Sequence, residues 1–122
     1  MKPLYDMKTG VPGVDCAPRE AEAELFALLM LMHNEMALFS VDPQKVVDSI
    51  KLGTEQKGGI IWVVRHDGHI VGSIGLFLGQ DWYTKDDSFF ERWHYVHPDF
   101  RKGTDYARRL IDQAGTPEVD AI

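Results

Sequence analysis

His97-Pro98-Asp99-Phe100-Arg101-Lys102-Gly103-Thr104-Asp105-Tyr106-Ala107 joins a run with strand character, residues 89–96, to a run with helix character, residues 106–114. The first N–H groups of a helix have no partner inside it, and the helix dipole is positive at that end. Arg101, Lys102 and the flexible Gly103 therefore form a cradle for an anion, and a phosphorylated cofactor is the ligand that fits. Ala107, Leu110, Ile111 and Ala114 recur at i, i+3, i+4 and i+7, which predicts one buried helix face; Gly115 and Pro117 predict its end. Thr104 or Asp105 stands where a helix N-cap is needed.

Working outward from that junction, Pro18 opens a helix whose first turns carry Glu20, Glu22 and Glu24, complementing the dipole, and which is predicted to run to about Leu38. Leu25, Leu28, Leu29, Met32 and Met36 form its core stripe. Asp42 caps a second helix with Pro43 at its first position; Val46, Val47 and Ile50 face inward and Gly53 is the predicted stop. Residues 60–64 read as a strand, Asp67-Gly68 as a two-residue hairpin turn and residues 70–78 as the partner strand. Their unbroken apolar character predicts burial on both faces. Residues 89–96 add a third antiparallel strand, reached through the polar excursion 79–88. The expected fold is mixed α/β (α+β), a mainly antiparallel sheet flanked by helices. One domain is expected over 1–122, with a loose N-terminal segment at 1–17 and a short tail at 115–122.

Composition excludes several functions. A net charge of −6 leaves no basic face to neutralise a nucleic-acid backbone. Four cations within nine positions, Arg101, Lys102, Arg108 and Arg109, instead focus positive potential locally. The single cysteine, Cys16, excludes an internal disulfide and predicts a reducing, cytoplasmic setting. No run has the length of a signal-peptide core or a membrane span. His66 with His69, and His94 with His97, converge with no carboxylate, so no metal site is expected. Ser40 and Ser73 lack a triad pattern, and no GxxxxGK[ST] stretch is present.

The stretch Val96-His97-Pro98-Asp99-Phe100-Arg101, followed by Ala107 and Leu110-Ile111, resembles the acetyl-CoA pyrophosphate loop of the GCN5-related N-acetyltransferase (GNAT) family. The family loop reads Arg/Gln-x-x-Gly-x-Gly/Ala. Counted from Arg101, Gly103 is one position early and Ala107 one late; counted from Lys102, Asp105 stands where glycine is expected, which reads as a one-residue insertion. The chain is also similar to compact, phage-associated members, which carry a Trp-Tyr stretch before this strand as Trp82-Tyr83 does here. In element order the resemblance covers residues 18–114.

The resemblance implies acetyl-CoA as acyl donor, held by Tyr95, Val96, Arg101, Lys102, Gly103, Thr104, Asp105, Tyr106 and Ala107, with a primary amine on a small molecule or a protein as acceptor. Backbone N–H groups near Tyr95 and Val96 would polarise the thioester carbonyl. Strict alternation would put Glu91, Trp93, Tyr95 and His97 on one face and Phe90, Arg92, His94 and Val96 on the other. Glu91 is the first candidate base, His94 the second, and Tyr106 could protonate the leaving thiolate. Asp81, Asp86 and Asp87 in the excursion favour a cationic amine. The alternative is a non-catalytic acyl-CoA-binding or interaction module. The family's usual C-terminal strands have no counterpart before Ile122, which predicts that a second copy, as a homodimer, or further polypeptide covers the edge of residues 89–96.

Overall fold

A computed structural model describes residues 11–36, 40–80 and 87–115, and in them three helices pack on the two faces of an antiparallel sheet. The helices are α1 (Glu22–Met36), α2 (Pro43–Thr54) and α3 (Tyr106–Ala114); the strands are β1 (Val14–Cys16), β2 (Gly59–His66), β3 (His69–Gln80) and β4 (Asp87–Val96), adjacent in the order β1-β2-β3-β4. Trp82-Tyr83, the excursion's Asp81 and Asp86, Leu38 and Pro117 lie outside the described residues.

Local chemistry accounts for the element boundaries. The Asp42 carboxylate accepts the N–H groups of Gln44 and Lys45 at 3.0 and 3.3 Å, capping α2 as its sequence predicts. Asp67 and Gly68 both take positive φ, 51° and 82°, the requirement of the tight β2–β3 turn that pairs His66 with His69. Both central strands are buried on both sides. Ile61, Val63, Phe77, Trp93 and Tyr95 pack against Leu25, Leu28 and Leu29 of α1 and Ile50 of α2. Ile60, Trp62, Val64, Val71, Ile74, Leu76 and Val96 pack with Leu110 of α3 on the opposite face. Leu25 and Leu110 are 0% exposed, a burial worth about 1.5–3 kcal/mol each.

Four sequence expectations are corrected. Residues 14–16 are not loose: they form β1, pairing Val14 with Val64 and Cys16 with Trp62, and Ala17 N–H donates to Ile61 O at 2.8 Å. Three residues are too few for alternation to show, and the cross-strand pair Arg65–Asp15 at 3.1 Å is visible only once the strands are aligned. Gly53 does not stop α2 but lies inside it; a Cβ there would fall 2.3 Å from Ile61 Cγ1 and Cδ1, so glycine lets the helix sit flush on β2. In α1 the stripe holds for the leucines, while Met36 is exposed. In α3 the buried positions are Leu110 and Gln113, with Ala107 and Ile111 exposed, because the Gln113 side chain turns inward and its Oε1 accepts Val11 N–H at 2.7 Å.

The feature that matters most for function is a bulge in β4. Trp93 pairs with Gly75 and Glu91 with Leu76, so Arg92 is an extra residue. Beyond it the alternation changes phase. Arg92 and Trp93 both turn to the α1/α2 face, the Arg92 guanidinium lying 4.4 Å over the Phe77 ring, while Glu91 joins His94 and Val96 in the register of the α3 face. The uniform alternation expected of Glu91, Trp93 and Tyr95 is thereby overturned. Trp93 is fixed by Ser73, whose buried hydroxyl accepts the indole N–H at 3.0 Å and donates to Trp62 O at 2.9 Å.

Candidate functional site

β4 runs into the basic loop, and the loop's folding is set residue by residue. His97 N–H donates to Val71 O at 2.7 Å, closing the sheet, and His97 Nδ1 accepts Asp99 N–H at 3.1 Å. A single 3-10 turn, Pro98–Phe100, follows; the Phe100 ring packs 4.8 Å from His66 and 5.7 Å from His97. Gly103 has φ 78°, a left-handed turn that glycine adopts without penalty, and the Thr104 hydroxyl donates back to Phe100 O. Asp105 occupies the N-cap position of α3 but makes no side-chain cap; its carboxylate pairs with Arg109 at 2.8 Å. The side-chain cap expected from Thr104 or Asp105 is therefore absent, and the first N–H groups of α3 stay directed out of the helix.

The register also decides which backbone donors of β4 are available. In an antiparallel pair, hydrogen-bonded and non-bonded positions alternate. The bond from His97 N–H to Val71 O puts the pairs His97/Val71 and Tyr95/Ser73 in the bonded class, so the backbone groups of His94 and Val96 point away from β3. Of the two donors expected at Tyr95 and Val96, Tyr95 N–H is used by the sheet. Val96 N–H, with His94 N–H, faces the outer edge. The Val96 carbonyl shares that direction, and Arg101 Nε donates to it at 2.8 Å.

Arg101 is not directed at the loop's open donors. Its Nη2 contacts both Glu35 oxygens, at 3.0 and 2.9 Å, and its guanidinium lies 5.1 Å from the Tyr95 ring centroid. The Tyr95 hydroxyl donates to Glu35 Oε1 at 2.7 Å. Glu35 thus ties the end of α1 to β4 and the loop. The Arg101 and Tyr95 hydrogen bonds hold the Glu35 carboxyl below its usual range, while burial and the Glu35 hydrogen bond push the Tyr95 phenol up to about 12. Glu35 was missed in the sequence because its partner is 66 positions away and nothing local marks it. Lys102 is exposed and, unlike Arg101, forms no ion pair among the described residues.

A carboxylate with a depressed pKa stabilises the fold above its unfolded value and loses that contribution as pH falls. The ordinary glutamate value here is 4.5, so the melting-temperature gap between the wild type and Glu35→Gln should be present at pH 7 and close as pH drops below 4.5. Because the Glu35 and Arg101 side chains are 37% and 45% exposed, solvent screens the pair and the gap is modest. A gap that persists unchanged at pH 3 would show that the carboxylate charge is not what the network uses.

The remaining candidates are dispersed. Glu91 is exposed on the far side of the bulge. His94 Nε2 lies 3.1 Å from Ala107 O; a carbonyl only accepts, so that nitrogen carries the proton and locks the first turn of α3 to β4. The Tyr106 hydroxyl is 2.8 Å from His66 Nδ1 at the end of β2. That is two strands, roughly 10 Å, from the outer edge of β4. Ala107 is exposed at the start of α3. Among the described residues no group of three His, Cys, Asp or Glu side chains could hold a metal ion, and no helix is long and apolar enough to cross a membrane.

An edge strand running through a bulge into a basic loop and an uncapped helix start, with a helix pair on the opposite face of the sheet, defines a recognisable α+β class. The chain belongs to the acetyltransferase (GNAT) family, whose sequence profile matches residues 24–114. Among solved structures it is similar to an integron cassette protein from the mobile metagenome of Cole Harbour Salt Marsh, at 22% identity over 82% of this chain and 65% of that one, TM-score 0.68. It is also similar to a predicted acetyltransferase with acetyl-CoA from Clostridium acetobutylicum (12% identity, 83% and 71% covered, TM-score 0.66). A ribosomal-protein-alanine N-acetyltransferase from Brucella melitensis biovar Abortus 2308 gives 20% identity, 81% and 66% covered, and TM-score 0.60. At these identities the likeness establishes the fold. The chain spans about two thirds of the length of these structures, 65% for the first. No curated protein matches the sequence.

Proposed function

We propose that the protein transfers an acetyl group from acetyl-CoA to a primary amine. The observation that carries this reading is that the outward N–H groups of His94 and Val96 run in line into the uncapped start of α3, beside Lys102. An amide-bearing chain can pair along the first as an added strand would, while a pyrophosphate sits at the second. Arg101, engaged by Glu35 and Val96 O, shapes the loop in this scheme, and the phosphate charge is met by Lys102 and the N–H groups of residues 103–107.

In the reaction the amine nitrogen attacks the thioester carbon, the N–C bond forms, the C–S bond breaks, and the sulfur leaves as a thiolate that takes up a proton. An outward β4 N–H, from Val96 or His94, stabilises the developing oxyanion. Glu91 takes the proton from the ammonium group, directly or through water. His94 holds α3 through the Nε2 proton it shares with Ala107 O, which leaves Nδ1 as the accepting nitrogen and keeps His94 the second candidate base. Tyr106 is a positioning residue in this scheme. A homodimer formed through β4 would cover the N–H groups that the donor needs, so the proposal excludes edge-to-edge pairing of two copies. A cytoplasmic setting rests on the lone Cys16, and kinship with the compact phage-associated members on Trp82-Tyr83.

Saturating acetyl-CoA at one hundred times its Kd should stabilise the protein by about 2.7 kcal/mol. Release of thiol with a panel of amines tests catalysis. Glu91→Gln should lower kcat at least tenfold with acetyl-CoA affinity unchanged, because the base acts on the acceptor. A kcat of Glu91→Gln equal to that of the wild type across pH 6 to 9 would remove Glu91. Stabilisation without any thiol release would favour a non-catalytic acyl-CoA module.

A further inference from the structure

The bulge that disturbs β4 does more than shift its alternation. It presents Arg92 and Trp93 together to a cleft of about 260 Å³ between α1, α2 and the sheet, whose floor is apolar, Leu29, Met32, Val46 and Trp93, and whose rim carries Arg92 and Lys45. A second hollow of about 480 Å³ adjoins it at Lys45 and His33. Neither Arg92 nor Lys45 forms an ion pair among the described residues, although the chain as a whole carries a net charge of −6. Arg92 Nη1 donates to the neutral Ser49 hydroxyl at 2.8 Å, which holds the guanidinium at the rim with no carboxylate paired to it among the described residues. Asp42, whose Oδ1 accepts two backbone N–H groups as the α2 cap, lines the outer hollow with Lys45, while no carboxylate lines the inner cleft among the described residues.

An apolar cleft rimmed by two cations, with no carboxylate in its lining among the described residues, is complementary to an apolar molecule with an anionic group. The inner cleft, about 260 Å³, is just under the usual volume of a ligand site, a scale that suits one amino acid. Arg92 is two residues from His94, about 7 Å along the strand, so an anion held at Arg92 leaves an amine of the same molecule within reach of the β4 edge, where Glu91, on the opposite face, takes its proton through water. Resting on the acyl-transfer reading, we infer that the acceptor is a small apolar amine bearing a carboxylate, recognised by Arg92 and Lys45 over the Trp93 floor. The net-cationic acceptor suggested by Asp81, Asp86 and Asp87 is replaced in this assignment by a zwitterion, whose ammonium group is kept and whose carboxylate is what the cleft recognises.

The test is calorimetry on the whole chain with two probes, L-phenylalanine and phenylalaninamide, which share ring and amine but differ in the carboxylate. Phenylalanine should bind at least tenfold more tightly to the wild type. Arg92→Gln, and separately Lys45→Gln, should shrink that ratio while leaving phenylalaninamide within twofold of its wild-type affinity, an outcome that a general disturbance of the cleft would not give. Equal affinities for the two probes, or a ratio unchanged in both variants, would overturn the assignment. Acetyl-CoA titrated into the same samples reports on the donor site separately. Binding of acetyl-CoA with no binding of phenylalanine rejects the acceptor class alone; binding of phenylalanine without acetyl-CoA keeps the carboxylate site and rejects acyl transfer.

Discussion

Gly75→Val should lower the melting temperature by roughly 10–15 °C, because the three added carbons have no room beside Trp93. A Cβ at Gly75 would fall 2.6, 2.7 and 2.9 Å from three atoms of the Trp93 indole. The ring cannot retreat. Its N–H is held by Ser73 at 3.0 Å, and its other side meets Phe77 at a centroid distance of 5.4 Å. Overpacking a fixed core side chain costs on the order of 3 kcal/mol, and for a domain of this size each kcal/mol moves the midpoint by roughly 4 °C. Residues in contact couple, so Gly75→Val combined with Trp93→Leu should be destabilised by less than the sum of the two single changes. Strict additivity in thermal melts would mean that the indole does not lie over Gly75. The bulge at Arg92 would then lose its anchor as well.

Lys102→Glu should weaken acetyl-CoA binding at least tenfold with the melting temperature of the free protein unchanged. Lys102 is exposed and forms no ion pair among the described residues, so the folded protein loses nothing when its charge is reversed. The ligand exchanges an attractive charge beside its phosphates for a repulsive one, and tenfold corresponds to about 1.4 kcal/mol. Arg101→Glu behaves differently. It removes the contacts to Val96 O and Glu35 and sets two carboxylates against each other, so it should lower stability and affinity together. Equal stability of the two variants, measured by calorimetry before ligand is added, would contradict the separation of a phosphate cation from a loop-shaping one.

Periodicity and capping chemistry carried most of the fold. The Asp42 cap, the Asp67-Gly68 turn and the two-faced burial of β2 and β3 all follow from neighbours in sequence, and these are the parts that sequence reads correctly. What escaped depends on partners far along the chain. Cys16 joins a strand only because Trp62 is beside it, and Gly53 reads as a helix stop until Ile61 is seen against it. Gln113 breaks the apolar stripe of α3 because its amide reaches Val11, 102 positions away. The candidate site divides in the same way. The basic loop is legible, since sequence order alone puts Lys102 and Gly103 before α3; its missing side-chain cap is not, because Thr104 turns back to Phe100 O and Asp105 pairs with Arg109. The faces of Glu91 and Arg92 are not, because one extra residue in β4 reverses them and no residue type in Phe90-Glu91-Arg92-Trp93 marks a bulge. Nor is the capture of Arg101 by Glu35, which needs α1 docked across the end of β4.

Titration of the isotopically labelled protein with acetyl-CoA, followed by amide NMR, tests the central claim that the donor lies along the outer edge of β4 with its pyrophosphate at the start of α3. Saturable shifts should concentrate at the N–H groups of His94, Val96 and residues 102–108, with Tyr95 N–H, bonded within the sheet, moving least along β4. Saturable shifts confined to the α1/α2 face, or no saturable shift at millimolar acetyl-CoA, would contradict it.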